Sequence, residues 1–67
     1  MSKDEDKLLI EQIEAGAELA KDTNRTDADL DGMAAMFSSQ FSHRSEGEIL
    51  ELLKSAWRRQ GLFWAGM

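Results

Sequence analysis

LDGMAAMFSSQFSHRSEGEILELLKSAW, residues 30–57, carries the two helical patterns that decide the fold. In its first half Leu30, Met33, Ala34, Phe37 and Phe41 fall at offsets of three, four, seven and eleven, which places them on one face of a helix. In its second half Ile49, Leu52, Leu53, Ala56 and Trp57 repeat the pattern at three, four, seven and eight. Ser38, Ser39 and Ser42 with His43 end the first helix. Ser45 then opens the next, and Glu48 three residues on gives capping-box spacing, in which hydroxyl and carboxylate each satisfy a backbone N–H at a helix start.

Toward the N-terminus lies a third pattern. Leu9, Ile13, Ala17 and Ala20 form a stripe that Leu8 and Ile10 broaden. Ser2 and Glu5 have capping-box spacing, and Asp4, Glu5 and Asp6 suit the positive end of the helix dipole. Gly16, inside this stripe, costs up to about 1 kcal/mol against alanine and reads as close approach of a neighbouring helix. KDTNRT, residues 21–26, is a polar connection, after which Thr26 or Asp27 caps the second helix. The expectation is an all-α, compact three-helix bundle of helix-turn-helix type, one domain over residues 1–67, with helices near 3–21, 27–41 and 46–60.

Beyond Gly61, placed to end the third helix in a left-handed cap, comes an apolar tail, residues 62–67. It either folds back over the core or anchors a partner, and a short chain with little core favours folding back. As an anchor it would act through Leu62, Phe63, Trp64 and Met67, since aromatic side chains dominate such interfaces.

Composition narrows the function. In 67 residues there is no cysteine and no proline. Thiolate chemistry and disulfides are therefore excluded, and no helix is interrupted by a proline ring. The charged N-terminus has no apolar run of signal length, and no stretch approaches the roughly 20 apolar residues of a membrane helix. The chain reads as intracellular, cytoplasmic or nuclear, with no membrane partner. The net charge of −5 is uneven: ten acids and four bases in residues 1–31 give −6, three acids and four bases in the remainder give +1. A broad phosphate-binding surface does not fit that balance.

Three constellations bear on chemistry. Asp27, Asp29, Asp31 and Gly32 match the first half of an EF-hand loop, but position twelve, where a bidentate glutamate belongs, is Ser38. Calcium binding is the remotest of the readings, behind an acidic first helical turn. His43 is the single histidine and has no cysteine to join it at a metal, so no cofactor and no catalytic role is expected. Arg44, Lys54, Arg58 and Arg59 supply a basic end to the third helix, which suits its dipole and is also a candidate phosphate contact.

Residues 3–58 resemble a Myb/SANT repeat, through the acidic Asp4-Glu5-Asp6 opening and the string Phe41-Ser42-His43-Arg44-Ser45 ahead of Glu48-Ile49. The family spaces three bulky aromatics through its core, whereas here Leu53 stands near the last place, with Trp57 a turn later. The resemblance implies a helix-turn-helix fold and either DNA or protein binding. Glu46, Glu48 and Glu51 occupy the turns with which DNA-reading members face base edges. Protein binding by a non-catalytic regulatory or adaptor domain is therefore the expected function. DNA binding through Arg44, Lys54, Arg58 and Arg59 is the alternative, and homodimerisation stays open.

Overall fold

The computed structural model describes residues 2–24 and 27–65, the side chains of residues 2 and 3 excepted. Three helices run in order, α1 (Ser2–Asp22), α2 (Leu30–Gln40) and α3 (Glu46–Arg59). Among the described residues there is no strand, and no helix is long and apolar enough to cross a membrane. The all-α three-helix bundle expected from the periodicities is the fold.

Each helix ends where local chemistry satisfies its backbone. At α3 the capping box forms in full: Glu48 N–H donates to Ser45 Oγ and Ser45 N–H to Glu48 Oε1, both at 3.2 Å. At its other end Gly61 takes a φ of +71°, its N–H donating to Arg58 O and that of Leu62 to Trp57 O. These two bonds are the Schellman arrangement, which favours glycine because a Cβ is strained at that φ. Helix α2 starts later than Thr26 or Asp27 would have it. Its N-cap is Asp29, whose Oδ1 accepts from Gly32 N at 3.0 Å. The cause is tertiary: Ala28 lies in a parallel bridge with Trp64, and Ala65 N–H donates to Ala28 O at 3.0 Å. That pairing keeps the residues just before α2 out of the helix. The Thr26 alternative and the Ser2 side-chain cap lie outside the described residues.

The core is the meeting of three stripes. Helix α1 gives Leu9, Ile13, Ala17 and Ala20, α2 gives Leu30, Ala34 and Phe37, and α3 gives Ile49, Leu53, Ala56 and Trp57. Met33, Phe41 and Leu52 pack at its edge. Leu8 and Ile10 do not join it; both are exposed, because the face turned to α3 is only as wide as the four-residue stripe. Helix α3 is the hub. It packs along α2 and α1, whereas α1 and α2 scarcely touch each other.

The tail folds back. Leu62 and Trp64 pack against the core and Phe63 points away, the alternation of an extended segment. Arg58 lies over the Trp64 ring, 6.0 Å from its centroid, a cation–π contact.

Candidate functional site

The splay between α1 and α2 leaves an apolar groove of about 220 Å³. Gly16, Leu19, Ala20 and Thr23 of α1 and its end line one side, Ala28 and Met33 the other, and Trp57 of α3 the floor. An apolar cavity of about 150 Å³ already takes an aromatic ring, so the groove has room for a large side chain. Leu19, in its lining, is 64% exposed; Met36, also on α2 and 51% exposed, is not among the lining residues. Trp57 is buried, and its Nε1 has no hydrogen-bond partner among the described residues. The Thr23 hydroxyl donates to Leu19 O at 2.9 Å, so the lining presents no free acid, base or nucleophile.

Gly16 is the residue that keeps this groove open. A Cβ there would lie 3.5 Å from both Met33 Cε and Trp57 Cη2, ordinary van der Waals distances. Helix packing therefore does not require glycine at this position, contrary to the close approach expected.

A second constellation joins α1 to the turn before α3. The Arg44 guanidinium grips Asp6 through Nε and through Nη2, the latter at 2.8 Å, and reaches Glu48 Oε2 at 3.3 Å. His43 Nε2 lies 3.1 Å from Asp6 Oδ1, where the ring N–H donates to the carboxylate. Its Nδ1 is 3.1 Å from Glu5 Oε2, off the angle of a hydrogen bond. Held first by Arg44 and then by His43, the Asp6 carboxyl falls from the usual 3.8 to about 2. Hydrogen bonds from Ser45 lower Glu48 as well, and Asp6 raises Arg44. Because the folded carboxyl is depressed, its stabilisation is present above pH 4 and is lost as pH falls toward 2. The urea midpoint of Asp6→Asn should lie below wild type at pH 7, and the gap should close between about pH 4 and 2. A gap undiminished at pH 2 would mean that Asp6 acts through packing and not through charge.

The basic residues do not make one surface. Arg44 is engaged by Asp6 and Glu48, and Lys54 Nζ stands 3.8 Å from Glu51. Arg58 lies on Trp64, while Arg59 borders a separate depression with Ile10 and Leu52. Arg44 precedes α3 and Arg58 lies in its last turn, with a helix rise of about 18 Å between Glu46 and Arg58. Of the tail residues, Leu62 and Trp64 are spent on the core and Phe63 is 57% exposed, while Met67 lies outside the described residues. Asp29 is committed to its cap and Asp31 sits in the first turn of α2; no group of three metal-binding side chains converges among the described residues. Periodicity did not point to the groove, for which the sequence signals were Gly16 and the surplus apolar Leu19.

Fold and site together define a small all-α three-helix domain with an apolar cleft. No family model, no curated protein and no solved structure matches the chain.

Proposed function

We propose that this chain is a non-catalytic protein-binding module that seats an apolar segment of a partner between α1 and α2. The observation that carries this reading is the groove itself, floored by Trp57 and lined by Met33 and the exposed Leu19. Exposed apolar surface around a cleft of this size is a usual mark of an interaction site. Phe63, on the tail whose neighbour Trp64 is paired with Ala28, supplies a further exposed anchor. The resemblance of residues 3–58 to SANT repeats, some of which bind proteins through acidic surfaces, favours the same choice over DNA.

Photocrosslinking inside cells that make the protein tests it. A photoreactive residue at Thr23, an exposed residue of the groove lining, should trap a discrete partner protein, and one at Glu14, on the outer face of α1, should not. Loss of the adduct in a Leu19→Asp background would tie it to the groove. Equal trapping at both positions, or none at either, would overturn the reading.

A further inference from the structure

Helix α1 has an apolar line that the bundle does not use. Leu8, Gln12, Ala15 and Leu19 follow one another at intervals of four, three and four, and all are exposed. This is the spacing of a coiled-coil seam, in which apolar residues alternate by three and four and a single polar one fixes register. The seam runs beside the core stripe, and Gly16 and Thr23, on its inner edge, lead into the groove over Trp57. Asp4, Glu11 and Glu18 recur every seven residues along its outer edge, all exposed. Glu5 and Asp22 continue the seam beyond Leu8 and Leu19. Lys7 and Lys21 stand one position further round, away from the seam.

Charge decides the occupant. In an antiparallel pair of copies, Asp4, Glu11 and Glu18 would face the same acids of the second copy. In a parallel pair they would face Leu9, Gly16 and Thr23, which offer no positive charge. A second copy thus gains no ion pair in either direction, and each copy carries −5.

Resting on the protein-binding reading above, we propose that α1 receives an amphipathic helix of a partner protein whose flanks carry lysine or arginine. Its apolar seam lies along Leu8, Ala15 and Leu19, and one large side chain enters the groove at Gly16. Its basic flank faces Asp4, Glu11 and Glu18.

A selection tests the chemistry without a known partner. Helical peptides with a fixed leucine–alanine seam and flanking positions randomised among lysine, arginine, glutamate, glutamine and serine are displayed and selected on the full chain. Binders that persist on Leu19→Asp are removed; that exposed position leaves the fold intact, as circular dichroism would verify. Lysine and arginine should be enriched at the flanks. The best peptide should bind a Glu11→Lys, Glu18→Lys variant about tenfold more weakly. Leu19-dependent binders with no preference for basic flanks would overturn this proposal and leave the groove reading standing. Binders that ignore Leu19→Asp throughout would show attraction by charge alone, and overturn both. A dimer in sedimentation that Leu19→Asp dissolves would assign the face to a second copy and overturn the basic helix.

Discussion

Replacing Trp57 by alanine is expected to leave the chain unfolded at room temperature. The side chain is 1% exposed and sits where all three helices meet. Removing a buried tryptophan costs about 3–5 kcal/mol, through lost burial and the cavity left behind. A core of this size rarely supplies more than about 3–5 kcal/mol in total, so the loss matches the whole stability. Far-UV circular dichroism with urea titration measures it, and a cooperative transition with a near wild-type midpoint would refute it. Trp57→Phe should behave differently. It keeps a ring beneath the groove and deletes an indole N–H that has no acceptor among the described residues, a group whose burial costs about 1–3 kcal/mol. That gain offsets part of the burial lost with the smaller ring, so the phenylalanine variant should stay folded, with a lower midpoint.

The second large effect is on binding, at Gly16. Gly16→Ala should raise stability by up to about 1 kcal/mol, because alanine is the better helix former and its methyl meets only ordinary contacts. Gly16→Leu should occupy the groove. If a partner's side chain enters there, its exclusion removes about 1.5–3 kcal/mol of burial, a ten- to hundredfold loss of affinity. A damaged core lowers stability and binding together, whereas a blocked groove lowers binding alone. Leu19-dependent peptides binding Gly16→Leu as tightly as wild type would take the groove out of the interface. A destabilised Gly16→Ala would restore close packing as the reason for the glycine.

The parts of the fold legible in the sequence are those set by neighbours along the chain. The Ser45–Glu48 box, the Gly61 cap and the stripes of α2 and α3 depend on residues within a turn or two, and each is where the spacing puts it. The start of α2 was not legible. Asp27, Asp29 and Asp31 all have cap chemistry, and the choice among them is made by Trp64 and Ala65, more than thirty residues away. Arg44 shows the same limit. It is a plausible phosphate contact beside Ser45, and becomes the partner of Asp6 only once α1 is docked. The groove was the least legible feature, since it depends on the angle at which α1 and α2 diverge from α3. The tail was half legible: alternation separates Phe63 from Leu62 and Trp64, but not which side faces inward.

The pairing of Ala28 with Trp64 and Ala65 also sets the order in which the domain can be assembled during synthesis. The Ser45–Glu48 cap of α3 can form as soon as that segment leaves the ribosome. The stretch ahead of α2 cannot settle until Ala65 has been added, some forty residues after the end of α1. Until α3 has been made, the seam of α1 and its inner stripe are uncovered together, so a helix meant for the outer face could dock first on the inner one. The nascent chain thus passes through a stage at which binding and folding compete for the same helix.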